Sequence, residues 1–359
     1  MIPMKKVLSF LLAFSFILSL IPSQVVVAES PFTIFLDKAK FYQEIIKRDV
    51  PGCLWNEQTE LSKTTALYDP NGQLNGCIFE YINGKTPVGY IQISNFSGKP
   101  VLDSYALEGH HWATKLSKAD RLVRLGALAY YEAANHGRLK SIDTQEYLSL
   151  ETASAVYTQF ANSISSNIES PSNTYNTKSM YTQTVLAKGY SGGLTLATYS
   201  NTGDTGGAGC ARIAAVNCCL YWAKCRGKAG LYSSNPSTYR AISNYIIYGG
   251  EGDVHSSLYN GLRQYMISKG YTPTVRGTVS ANNGDWRWGT LIGLIDQVVP
   301  PVLIVQMPAG AGHAVLMLGY QHIDIVNTFI VADGKSSSYS FYSTAIYKPR
   351  AQYSSYNGW

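Results

Sequence analysis

Charge is scarce in this chain. Asp, Glu, Lys and Arg make up only 14% of its 359 residues, and no run of basic residues occurs. Nucleic-acid binders draw their affinity from clustered Lys and Arg, so that class of partner finds no support. Cysteine is also sparse, and none of the six cysteines falls at the spacing of a four-ligand zinc site. No metal or organic cofactor is implied. Long apolar runs are missing except at the start, where Val7 to Ile21 is almost wholly apolar. That run is short of the roughly 20 residues a bilayer-spanning helix needs. With Lys5 and Lys6 before it and Val26-Val27-Ala28 after it, it reads as a secretory signal peptide over residues 1–28, cut after Ala28. The expectation is a secreted protein, extracellular or at the cell surface, with no transmembrane segment.

The 331 residues that follow exceed one ordinary domain, so two units are expected. Glu29 to Ser179 holds 14 Lys/Arg against 16 Asp/Glu, whereas Tyr181 onward holds 13 against 7. An acidic first half beside a basic second half suits a prodomain docked on its enzyme, and equally two unrelated solvated surfaces. Among the cysteines, Cys53 and Cys77 both lie in the first half and could pair, with their state left open. Cys210, Cys218, Cys219 and Cys225 crowd into 16 residues, where helix neighbours rarely meet disulfide geometry. Cys218 and Cys219 are expected as buried free thiols, with Cys225 open.

Residues 29–160 read as a small α+β unit. Pro31 to Arg48 is helical, and strands follow over Cys77–Ile82, Val88–Ser94 and Val101–Ala106, with Asn83-Gly84 as a two-residue hairpin turn. From Ser117 to near Asn135 the spacing predicts an amphipathic helix with Leu122, Leu125, Leu128 and Ala129 as its buried stripe. Residues 161–185 read as a linker, because Asn162 to Ser179 is rich in Ser, Asn and Thr with little apolar periodicity. Residues 186–359 place helices first (from Cys210 to about Lys224, Ser256 to Lys269, Thr290 to Val299). Strands come after, over Val302–Gln306, Ala314–Tyr320, Phe329–Ala332 and Tyr339–Tyr342. That order predicts α+β with an antiparallel sheet, not a doubly wound fold.

Three side chains carry the chemistry. Cys210 follows Gly206-Gly207-Ala208-Gly209 and opens an apolar helix, where the helix dipole and unpaired N–H groups favour thiolate. His313 starts an apolar strand after small residues that leave an imidazole accessible, and Asp333 ends the next strand. Each taken alone has a plain structural explanation, as a small buried hydrophobe, a strand histidine and a turn aspartate. Together, in this order, they are the parts of a cysteine nucleophile, its base and an orienter. Thr205 stands where a serine nucleophile would sit in Gly203-Asp204-Thr205-Gly206-Gly207, which leaves a serine-protease reading without its key residue.

Gly209-Cys210, Ala214-Ala215, Tyr221-Trp222, Gly312-His313-Ala314-Val315, Gly319-Tyr320 and a strand into Asp333-Gly334 resemble the papain-like cysteine peptidases. The likeness is greatest to those similar to the bacteriocin-processing (double-glycine) peptidases, and it covers roughly residues 195 to 345. Gly89-Tyr90-Ile91-Gln92-Ile93-Ser94, Pro100-Val101-Leu102, Tyr105 and Glu108-Gly109 are similar to the prodomain of streptopain-type peptidases. The resemblance implies a papain-like catalytic domain after an α+β prodomain. It assigns Cys210 as nucleophile, His313 as general base and acid, and Asp333 as orienter of the imidazole. The implied product is a secreted cysteine peptidase made as a precursor, acting on peptide or protein substrates and covered by its own prodomain. Two departures stand out. Asp204 lies where the family carries an oxyanion-holding glutamine, and Arg212-Ile213 replaces a usual Pro-Thr. Two alternatives accompany this reading: a catalytically silent extracellular binding module, and a cell-wall peptide amidase using the same triad.

Overall fold

Phe35, Ala39, Tyr42 and Ile46 recur at helical spacing, and all four are buried. They form the inner stripe of helix α1 (Pro31–Asp49), which lies across strands β2 (Leu74–Asn83), β3 (Thr86–Ser94) and β4 (Val101–Ala106). The computed structural model describes residues 31–357 apart from 97, 118, 120, 169–182, 205–208, 250–251, 254, 277–287, 298, 307–311, 324–325 and 348. The expected signal peptide and the centre of the expected linker lie outside the described residues.

The chain is mixed α+β, with eight helices and one large sheet among the described residues. In the first part, β1 (Thr59–Tyr68) pairs with β2 and runs parallel to β5 (Arg121–Gly126). Beyond β5 come β6 (Ala129–Ala134), β7 (Arg138–Ser141) and β8 (Tyr147–Ser149), then helix α3 (Leu150–Ile168); the short helix α2 (Trp112–Leu116) precedes β5. Strand alternation divides the core. Cys77, Phe79 and Tyr81 face the α1 side, while Ile78 joins the main cluster on the other face.

The second part begins with β9 (Gln183–Leu186), a short helix α4 (Tyr199–Thr202) and the central helix α5 (Cys210–Cys225). Residues Ile213 to Trp222 of α5 are all buried. A helix apolar on every side needs cover on every side. It packs on β13 (Val302–Gln306), β14 (Gly312–Ile323), α6 (Asn235–Ile242) and α7 (His255–Ser268). The strands β15 (Val326–Ala332), β16 (Ser340–Ser343), β17 (Pro349–Asn357) and β12 (Thr274–Arg276) complete this half; α8 (Trp288–Asp296) packs on β14, and β10 (Tyr248–Gly249) with β11 (Gly252–Asp253) forms a small hairpin.

Both parts share one sheet. Its order is β12-β17-β13-β14-β15-β16-β4-β3-β2-β1-β5-β6-β7-β8, with β9 paired to β14 off this path. The join is β16 against β4, where Phe341 faces Tyr105 and Tyr342 faces Ser104. The rings of Tyr105 and Phe341 stack at 4.1 Å, and the Tyr105 hydroxyl donates to Gln321 on β14. A buried polar seam lies behind the join. Arg124 and Asp103 form a fully buried ion pair, and Tyr347 of the second part sits within their field.

Several expectations are corrected here. The helix predicted from Ser117 to Asn135 is instead β5 and β6 joined by a tight turn, with Leu128 at φ 56°. Its supposed single stripe divides between two core clusters: Leu122 and Leu128 in one, Leu125 and Ala129 in another. Threefold spacing arose from two strands and a turn, and pairing with β1 overrode the local pattern. The hairpin turn sits at Gly84-Lys85, one residue later than expected, because Asn83 pairs with Thr86. Helix α3 runs to Ile168, into the stretch read as linker. Cys53 and Cys77 are free thiols, as are the other four cysteines. Among the described residues, no helix is long and apolar enough to cross a membrane.

Candidate active site

Helix α5 starts where its approach loop is held from both sides. The Asn217 amide, buried one face down the helix, accepts from Ala197 N at 2.7 Å and donates to Ala197 O at 3.1 Å. Ahead of Cys210, a capping box between Thr198 and Asn201 starts α4, and Gly203 ends it in the left-handed region at φ 81°. Asp204 then turns its carboxylate onto Gly209 N at 2.9 Å. A Cβ on Gly209 would run into that carboxylate and into the Tyr239 hydroxyl, so a larger residue there has to displace both side-chain ends. Cys210 itself is half-buried.

The same loop is stitched to the turn after β15. Leu196 N donates to Ser337 O at 2.8 Å, and Tyr199 N donates to Gly334 O at 3.1 Å. Ile213, one turn below Cys210, lies 3.1 Å from where a Cβ on Gly334 would stand. Through these contacts the first turn of α5 meets the turn after β15.

His313 is 4% exposed, and its Nε2 lies 2.7 Å from the main-chain oxygen of Asp333. A carbonyl only accepts, so Nε2 carries the proton and Nδ1 of the neutral ring carries the lone pair. Asp333 meets the ring through its main chain. Its carboxylate does not touch the imidazole: Oδ1 accepts from Lys335 N (2.8 Å) and Ser336 N (3.1 Å), and Oδ2 from Tyr342 OH (2.6 Å) and Ser340 Oγ (3.2 Å). The side chain builds the turn, and the backbone of that turn holds the ring.

Burial is the main cause that pushes His313 down to about 4, with the Lys335 ammonium as the next. Contact with Asp333 and the charge of Asp143 act in the opposite direction. The imidazole, buried as it is, is therefore neutral at physiological pH.

Residues of the first part of the chain pack against Lys335. The Lys335 side chain pairs with Asp143, from the β7–β8 turn, and its Nζ lies 4.7 Å from the Trp112 ring centre and 4.6 Å from that of Tyr199. Trp112 stands on α2, whose N-cap is the buried His111. Reading the sequence did not find Lys335, Trp112 or Asp143. Lys335 was discoverable as a neighbour of Asp333, whereas nothing local marks the other two.

Elsewhere, Cys218 and Cys219 are buried thiols held protonated by desolvation, with Cys218 pushed up to about 12. His110 contacts Glu80 at 3.3 Å, and His322 bonds Asn327 at 2.7 Å. The side chains of His136 and His255 lie outside the described residues. No cluster of three metal-ligating side chains occurs among the described residues. No protein-family model matches the chain, and no curated protein matches it.

Proposed function

We propose that the chain is a secreted cysteine peptidase made as a precursor, its first part covering the site until the connector is cut. The observation that carries this reading is the bond from His313 Nε2–H to the Asp333 carbonyl, with the next residue, Gly334, packed on Ile213 of α5. It leaves Nδ1 as the basic nitrogen of the ring, the one that would face a Cys210 thiol in this reading.

In this mechanism His313 Nδ1 takes the Cys210 proton, and the thiolate attacks a peptide carbonyl. The imidazolium then gives the proton to the leaving amine as the C–N bond breaks. Water, deprotonated by the same ring, hydrolyses the thioester and restores the thiol. Main-chain N–H groups at the start of α5 are the natural donors for the oxyanion. Asp204 cannot donate as a carboxylate, and it is already engaged with Gly209 N. A neutral His313 suits a resting precursor, since the ring has not taken the thiol proton. Departure of the first part would hydrate the ring and favour the thiolate–imidazolium pair.

Purified chain incubated with reductant should process itself and hydrolyse casein, followed by mass spectrometry. Cys210→Ala should do neither, and retained processing by that variant overturns the proposal. Asp204 supports the second reading, an inert peptide-binding module, because a carboxylate near the helix start opposes a developing oxyanion. A thiol-directed peptide electrophile separates the two, since an inert pocket leaves Cys210 unlabelled. The cell-wall amidase alternative shares the triad and differs in substrate alone.

A further inference from the structure

We propose that Lys335 is an anion-recognising subsite of the candidate active site, filled in the precursor by Asp143, and that the peptides taken afterwards present an acidic side chain to it. This rests on the peptidase reading of Cys210 and His313.

Lys335 lies two residues beyond the carbonyl that holds His313, and its side chain is only 5% exposed. A buried ammonium is retained where an anion meets it. Among the described residues that anion is the Asp143 carboxylate. The rings of Trp112 and Tyr199 flank the same ammonium at cation–π distance. Asp143 and Trp112 come from the first part of the chain, while Lys335 and Tyr199 come from the second. The indole N–H of Trp112 is buried without a hydrogen-bond partner, and the ring is held by apolar packing in the main core cluster and by its ring and charge contacts.

The arrangement is therefore asymmetric. When the first part leaves, it takes away the carboxylate and one ring. Lys335 and Tyr199 stay beside the base, as a cation resting on an aromatic face and lacking its counter-charge. A glutamate or aspartate side chain of a bound peptide restores what Asp143 supplied, and the first part acts as a stand-in for such a substrate. An arriving carboxylate also offsets the positive charge that disfavours protonation of His313. Acidic peptides are thus favoured in turnover as well as in binding.

The test uses the full chain, matured under reductant, on peptide pairs differing only as Glu against Gln at each of three positions either side of the cut. At one position Glu should raise kcat/KM about tenfold or more, the usual worth of a charge-assisted hydrogen bond. Lys335→Met should abolish the preference, and Lys335→Glu should turn it toward Lys. Equal rates at every position, or a Glu preference surviving in Lys335→Met, overturn the subsite. A second measurement needs no turnover. Folded full-length Asp143→Ala should gain melting temperature from acetyl-Trp-Glu-amide and not from its Gln twin, while the wild type gains from neither. No acid-dependent gain in that variant also overturns the subsite. A gain without any cleavage or Cys210 labelling keeps the anion site and removes the peptidase reading instead.

Discussion

Asp333→Asn separates two ways of orienting the imidazole. Where a carboxylate sets the ring tautomer, changing it to an amide costs about 10⁴ in rate. Here the main-chain oxygen of residue 333 holds His313, and that oxygen survives the substitution. The amide oxygen can still accept from Lys335 N and Ser336 N. Its NH₂ would face Tyr342 OH and Ser340 Oγ, whose hydroxyls can rotate to accept. Losing charge assistance at those two bonds should cost about 1–3 kcal/mol of stability. Activity should fall by less than about tenfold, roughly 1.4 kcal/mol in the barrier. Asp333→Ala is the contrasting change. It strands two N–H groups and two hydroxyls, at about 1–3 kcal/mol for each one left buried. Thermal melts of the three proteins, with rates of Cys210 labelling and peptide hydrolysis, give the comparison. If folded Asp333→Asn loses about 10³ or more in rate, the carbonyl is not the orienter and the reasoning fails.

Acid should loosen the fold before carboxylates titrate. Burial pushes His111 down to about 3 and His313 to about 4, from an ordinary 6.5. Both are neutral in the fold, so their stabilisation is complete above pH 6.5 and declines as pH falls from there toward the folded values. Unfolding free energies from denaturant melts between pH 7 and 5 should drop by up to about 1.4 kcal/mol per pH unit for each histidine; a flat profile refutes this. Arg124→Met leaves Asp103 buried without its cation and should cost about 3–5 kcal/mol, whereas Arg124→Met/Asp103→Leu should recover much of it in urea melts. Gly209→Ala drives a methyl into Asp204 and Tyr239 and should cost about 1–3 kcal/mol, with slower labelling of Cys210. Labelling at the wild-type rate would show that the loop yields freely.

Local rules made several elements legible from residues alone. Helix α1 was readable because its apolar stripe repeats at 3.6 residues, and α5 because small and apolar residues follow a glycine-rich entry. Strand β13, bounded by Pro300-Pro301 and by small residues, was found to its ends. The β5–β6 region failed because turn and strand spacing imitated a helix there. Only pairing with β1, more than fifty residues earlier, decides between the two.

For the site, the order of Cys210, His313 and Asp333 in the chain, each at the end of an element, is a property of the sequence. Which atom of Asp333 meets the ring is not. The cross-strand position of His313 and the Ser340 and Tyr342 hydroxyls on β16 decide that through strand pairing, while the Lys335 and Ser336 N–H groups belong to the local turn. The union of the two halves through β16 and β4, and the meeting of Lys335 with Asp143 and Trp112, are likewise tertiary facts. Periodicity reports which face of an element seeks burial; it carries no information about which distant partner provides it.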